Sequence, residues 1–91
     1  MNKSDLVAAV AAQADLSKDK ADAAVSSIVE QITNALSRDE SVAILGFGTF
    51  AQSHRAARTG RNPKTGAEIQ IAASNGVNFK PGKALKDSVN S

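Results

Sequence analysis

The sequence predicts an α+β fold: a helical body of two N-terminal helices plus a short C-terminal helix, a three-stranded antiparallel sheet, and a long β-ribbon arm. Three observations carry this reading. Apolar residues keep a helical period as far as Leu36, then switch to a short strand-like run at Ser41–Leu45. Charge is divided unevenly between the two halves of the chain. Residues 51–68 hold no large apolar side chain that could anchor a core.

The first helix is expected at about 3–14, with Asn2 as its cap and Asp5 in the first turn, where negative charge suits the helix dipole. Leu6, Ala9, Val10 and Gln13 fall on one face, with Val7 and Ala11 beside it. Asp15-Leu16-Ser17 breaks the pattern, and Ser17 is a good cap for a second helix at about 18–37. There Ala21, Ala24, Val25, Ile28, Val29, Ile32, Ala35 and Leu36 follow the i, i+3, i+4, i+7 rule. So wide a stripe exceeds what a two-helix hairpin covers. Another layer or another subunit must lie on it.

After the β run comes Gly46-Phe47-Gly48-Thr49-Phe50, with glycines where a turn or bulge is needed. Phe47, Phe50 and Phe79 are the only three aromatics and are expected in the core. Asn75-Gly76 is a hairpin dipeptide, but a kink or bulge within one long strand fits the surrounding pattern better. Val77–Lys80 then returns the chain to the core. Pro81-Gly82 precedes a final short helix, with Leu85 and Val89 expected on its buried side.

The intervening segment reads as a basic ribbon. Arg55, Arg58, Arg61 and Lys64 recur every three residues, so at a strand's period of two they point to both faces. In Asn62-Pro63-Lys64-Thr65-Gly66, Pro63 suits the second position of a turn, and Gly66 accepts the left-handed conformation that closes a hairpin. The return strand, Glu68 to Ala73, carries Ile69 and Ile71 on one face. A disordered basic loop is the competing reading of this stretch.

Residues 1–45 carry four cations and seven anions; residues 46–91 carry seven cations and two anions. The formal net charge of +2 therefore hides a basic C-terminal half, as expected of a chain that meets a polyanion. The chain has no cysteine, which fits a reducing compartment. No apolar run approaches the length of a membrane span, and the N-terminus lacks a signal-peptide pattern. The expectation is a cytoplasmic protein with no membrane partner and no cofactor. The single histidine, His54, has no cysteine or paired carboxylates beside it in sequence, so metal and hydrolase readings are weak. Basic residues without interleaved aromatics also disfavour a single-strand stacking platform.

Several motifs together resemble one family. Gly46-Phe47-Gly48-Thr49-Phe50, Arg55-Ala56-Ala57-Arg58-Thr59-Gly60-Arg61-Asn62-Pro63, Thr65-Gly66 and Phe79-Lys80-Pro81-Gly82-Lys83-Ala84-Leu85-Lys86 resemble the bacterial HU and integration-host-factor family, as does the opening Met1-Asn2-Lys3-Ser4. The resemblance spans the whole chain. It implies a single domain over 1–91, with 1–45 mainly a dimerisation body and 52–74 a DNA-binding arm, in an intertwined dimer. It implies an architectural, nucleoid-associated protein that bends and compacts double-stranded DNA with little sequence preference. Pro63 becomes an intercalating wedge. Arg55, Arg58 and Arg61 become arm contacts, with Asn62 and Lys64 at the tip. Lys80, Lys83 and Lys86 become saddle or flank contacts, and Lys3 joins the same set. The preferred partner is bent, nicked or gapped duplex, and the second subunit is either identical or a paralogue.

Two positions depart from the family. Ser53 stands where many relatives carry a cation. His54 stands where a carboxylate is common, exchanging a negative charge for a pH-dependent positive one. Two other functions remain open at this point: a site-specific bender like integration host factor, and a basic ribbon that grips an acidic protein partner.

Overall fold

The computed structural model describes every residue from Met1 to Ser91. The element order is α1 (Lys3–Gln13), α2 (Lys18–Ser37), β1 (Val42–Ile44), β2 (Gly48–Arg55), β3 (Arg58–Arg61), β4 (Glu68–Ile71), β5 (Ser74–Pro81) and α3 (Lys83–Val89). The α+β class, the three helices and the antiparallel sheet agree with the expectation. The chain divides into two compact units, Met1–Ala35 and Leu36–Ser91.

In the first unit, α1 begins with a capping box. The Asn2 side chain accepts from the Asp5 backbone N–H at 3.0 Å, and the Asp5 carboxylate accepts from the Asn2 N–H at 3.2 Å. Ser17 caps α2, its hydroxyl oxygen accepting from the Lys20 N–H at 3.2 Å. Val7, Ala21 and Val25 are buried together, with Val10 and Ala11 against them. The buried face of α1 is therefore centred on Val7, not on Leu6. Leu6, Ala9 and Gln13 are exposed instead and line an open groove with Val10 and Ala14. On α2, Ile28 and Val29 stay more than half exposed. The apolar stripe is wider than one chain covers.

In the second unit, β2 is the centre of an antiparallel sheet ordered β1-β2-β5. Its pairing with β5 runs without interruption from Gly48↔Pro81 to Arg55↔Ser74. Asn75 and Gly76 thus lie inside a regular strand, opposite His54 and Ser53, and the expected kink there is absent. The break falls three residues earlier, at Ala72–Ala73, facing the gap at Ala56–Ala57. Continuous pairing with β2 outweighs the local turn preference of Asn-Gly.

The three rings pack on one another. Phe50 and Phe79 lie 4.8 Å apart between centroids, Phe47 and Phe79 5.2 Å, and all are tilted in the range that aromatic pairs favour. Within a single chain they do not form a closed core, since Phe47 remains 42% and Phe79 39% exposed. On α3, Leu85 is half-buried, whereas Val89 is 73% exposed, contrary to the expected pairing of the two.

Candidate nucleic-acid interface

The register of the three-stranded sheet sorts its side chains into two unlike faces. Directly paired residues share a face, and each strand alternates. Val42, Ile44, Phe50, Gln52, Val77 and Phe79 therefore fall on one face. Ala43, Thr49, Ala51, Ser53, Arg55, Gly76, Asn78 and Lys80 fall on the other. The second face carries small or polar side chains and two cations, Lys80 near one end of β5 and Arg55 at the end of β2. No bulky side chain on it would hold a partner away. Sequence reasoning singled out its cations but missed its small residues. Their signal was the alternation Thr49, Ala51, Ser53 with Phe50 and Gln52 between them.

Beyond Arg55 the chain leaves the sheet and forms a second, two-stranded one, β3 with β4. Its tip is a compact turn. The Gly66 N–H donates to the Asn62 carbonyl at 2.7 Å, and the Asn62 N–H donates to the Ala67 carbonyl at 2.9 Å. The Asn62 side-chain oxygen accepts from the Lys64 N–H at 2.9 Å, an Asx-type bond that holds the corner. Gly66 takes φ +70°, which favours glycine, and this closes the hairpin. Asn62 thus spends its carbonyl oxygen on the turn. Pro63 and Lys64 project at the tip, both exposed.

Arg55, Arg58, Arg61, Lys64, Lys80, Lys83 and Lys86 are all exposed. None of the seven makes an ion pair: the close charge pairs of the chain are Lys3–Asp22 and Arg38–Glu40, with the His54 imidazole near Asp39 besides. Lys83 and Lys86 ride on α3, and Lys86 in the last turn also suits the helix dipole. Lys3 differs from the rest. Its ammonium lies 3.7 Å from Asp22 and donates to the Ser26 hydroxyl at 2.8 Å, so α2 already holds it.

Gln52 holds the turn after α2, and His54 lies near it. The Gln52 amide donates to the Leu36 carbonyl at 3.1 Å, which also accepts from the Asp39 N–H at 3.1 Å. His54 Nε2 lies 4.0 Å from the Asp39 carboxylate, with both side chains about two-thirds exposed. No cluster of three or more His, Asp or Glu side chains has metal-binding geometry. No helix is long and apolar enough to cross a membrane.

A family described as bacterial DNA-binding protein matches residues 1–90. DNA-binding protein HU-alpha of Pseudomonas aeruginosa is 54% identical over 90 residues, covering 99% of this chain and 100% of that one. HU-beta of the same organism is 56% identical over 90 residues, with the same coverage. Among solved structures, an Anabaena HU–DNA cocrystal structure superposes with TM-score 0.89 at 42% identity, covering 98% of this chain and 97% of that one. HU from Thermotoga maritima follows the same fold with TM-score 0.69 at 34% identity, covering 98% of each chain. The match runs the full length of the chain, and it includes the ribbon as well as the helices. On these grounds the chain belongs to the HU-type family of bacterial DNA-binding proteins, which are not enzymes.

Proposed function

We propose that this protein is an architectural DNA-binding protein that bends and compacts duplex DNA with little sequence preference. The observation that carries the reading is the concentration of unpaired positive charge in one half of the chain. All seven cations of the C-terminal half are exposed and free of carboxylate partners, whereas of the four in the N-terminal half Lys3 and Arg38 are paired and only Lys18 and Lys20 are not. Free cations along a sheet edge and a ribbon suit phosphates, whose neutralisation releases counterions.

The working unit in this reading is a dimer. A single chain buries only Val7, Ala21, Val25 and Leu36 among its apolar residues, while Leu6, Ile28, Val29, Ile44, Leu45 and Phe47 are among those left open. That is more apolar exposure than a monomer of this size normally carries. A partner chain seated on these residues closes the core and supplies a second ribbon. The comparable likeness to HU-alpha and HU-beta leaves both an identical partner and a paralogue open.

In the proposed mechanism, the sheet face of small and polar side chains receives the duplex. Lys80, Lys83 and Lys86 hold its flanks, and the ribbons carry Arg55, Arg58, Arg61 and Lys64 along the minor groove. Arginine suits a narrow groove because its head is planar and weakly hydrated. Pro63, exposed at the tip, is the wedge that separates two base pairs. It has no N–H that burial would strand, and its ring is rigid. HU and integration host factor are minor-groove benders of this kind. Unstacking costs a few kcal/mol per step, offset by the phosphate contacts that bending makes possible. The minor groove offers a degenerate code, and Asn62 is engaged in its own turn, so little base reading is expected.

The deciding experiment is a binding competition. The protein is titrated into a labelled linear duplex and challenged with nicked or gapped duplex, random-sequence duplex and an acidic protein. Nicked and gapped DNA should compete best, and random sequence should equal any defined site. Strong competition by the acidic protein alone, or a single defined sequence winning by orders of magnitude, would refute the reading.

A further inference from the structure

Where β2 hands the chain to the ribbon, its inner side is fastened to the end of α2. Residues alternate along the strand, so Gln52 and His54 lie on the face that carries Phe50, behind the face that carries Ser53 and Arg55. Gln52 is half-buried, and its amide donates to the Leu36 carbonyl at 3.1 Å, across 16 positions of sequence. Leu36 belongs to the last turn of α2, where carbonyls lose their intrahelical partners. Its oxygen takes two donors instead, the Gln52 amide and the Asp39 N–H. One rung further along β2, His54 Nε2 lies 4.0 Å from the Asp39 carboxylate.

The place of these contacts matters. The pairing of β2 with β5 ends at Arg55↔Ser74. Ala56, Ala57, Ala72 and Ala73 follow, outside both sheets, and only then do β3 and β4 pair. Four methyl side chains do little to lock the direction of the ribbon. The fixed side of this joint is the end of β2, and Gln52 and His54 hold it from behind. The turn that receives them is not the cheapest one. Asp39 has φ +58°, a left-handed conformation that glycine adopts without strain. Asp15 ends α1 in the same conformation, at φ +55°. In the turn after α2, Arg38 and Glu40 pair with each other at 3.4 Å, and the Asp39 carboxylate is the one beside His54.

We infer that Gln52, backed by the His54–Asp39 rung, is a positioning residue for DNA binding: it seats the end of β2 on the last turn of α2 and so sets Arg55 and the root of the ribbon, without itself touching the duplex. This rests on the DNA-binding reading above and adds how the helical body governs the ribbon.

The test pairs hydrogen exchange of the free protein, read at the backbone amides of residues 53–55 and 74–76, with fluorescence anisotropy on a linear duplex over a series of salt concentrations. The variants are Gln52→Met, Asp39→Gly and Asp15→Gly. Methionine is unbranched and similar in length but has no amide. Asp15→Gly makes at the end of α1 the same change of backbone and charge that Asp39→Gly makes beside the ribbon root. Gln52→Met should speed exchange at the root about fivefold, the worth of one net hydrogen bond. It should weaken duplex binding by at least about twofold and at most that same factor, since a root seated for a smaller share of the time binds less well. The log–log salt slope should stay unchanged, because no phosphate contact is lost. Asp39→Gly removes the more exposed rung and should speed root exchange about twofold. Asp15→Gly should leave root exchange as in the parent and bind DNA more tightly than Asp39→Gly does. Both glycine variants should melt within a few degrees of the parent. Unchanged root exchange in Gln52→Met would overturn the inference, and so would faster exchange with parental binding. A salt slope lowered by one or more in Gln52→Met would place the residue on the duplex itself, and equal effects of Asp15→Gly and Asp39→Gly would reduce the second rung to a helix end; either would overturn it. A parent with no salt-dependent binding to any duplex would instead defeat the DNA-binding reading, while the exchange rates would still report the seating of β2.

Discussion

Replacing Gly48 by alanine adds one methyl group at the place where the sheet and the aromatic cluster come closest. Gly48 is buried at the start of β2, paired with Ile44 on one side and Pro81 on the other. A β-carbon there would fall 2.5 Å from the Lys80 carbonyl oxygen and 2.7 Å from two ring atoms of Phe79. Unstrained carbon contacts begin near 3.5 Å, so the overlap is most of an ångström on both sides. One side is backbone and cannot rotate away. Moving Phe79 instead disturbs its contacts with Phe50 at 4.8 Å and Phe47 at 5.2 Å. Overpacking of this kind costs about 1–3 kcal/mol, and with a backbone atom involved the upper half of that range is expected. For a chain this short, each kcal/mol shifts the melting temperature by about 4–8 °C, so Gly48→Ala should melt roughly 10–20 °C below the parent. The assay is thermal unfolding followed by circular dichroism at fixed protein concentration. A cycle with Phe79→Ala isolates the ring's share. Phe79→Ala should cost less in the Gly48→Ala background than in the parent, by about 0.5 kcal/mol or more, because removing the ring relieves part of the clash. A melting temperature within two degrees of the parent, or strict additivity in the cycle, would refute this account of the β2–β5 approach.

Three further outcomes follow from the structure. If the exposed residues of α2 and the half-open phenylalanines are covered by a second chain, the melting temperature should rise with protein concentration; an invariant value over a hundredfold dilution, with a monomeric mass by sedimentation, would rule the dimer out. Binding to linear duplex should have a log–log salt slope near about −6, if roughly half of a dimer's C-terminal cations reach phosphates; a slope near −1 would leave the sheet face and ribbons without their role. Pro63→Ala should reduce affinity for linear duplex by only about 1 kcal/mol while lowering the bend angle measured by energy transfer. Equal loss on linear and nicked DNA would make Pro63 a turn residue only, and an unchanged bend angle would remove it from the mechanism.

Local features were legible in the sequence because their causes are local. The bounds of α2 agree with its apolar period and the Ser17 cap, and Asn2 and Asp5 form the box that opens α1. The tip turn formed around Asn62, Pro63 and Gly66, with the Asn62 side chain holding the corner and Gly66 adopting the left-handed conformation that glycine alone takes readily. The whole basic segment stood out because a stretch without large apolar side chains cannot contribute to a core.

Other features depend on what lies across from a residue, which periodicity does not encode. The face of α1 that is buried turned on a difference of one position, Val7 rather than Leu6, because neighbouring apolar residues on a helix are separated only by what packs against them. Asn75-Gly76 has the local character of a hairpin turn, yet β2 supplies a partner for each residue of β5, and unbroken backbone pairing prevails. Parity could not be carried from Arg55 to Arg58, since the chain leaves one sheet at Ala56–Ala57 before entering the other. Only the paired registers decided that Thr49, Ala51 and Ser53 share a face with Lys80, and that Arg58 shares one with Ile69 and Ile71. The sequence by itself determined the elements, the capped ends, the ribbon tip and the location of the charge. The tertiary structure decided which side chains stand beside one another, because strand register is set by hydrogen bonds between distant segments, and a shift of one residue would turn every side chain to the other face.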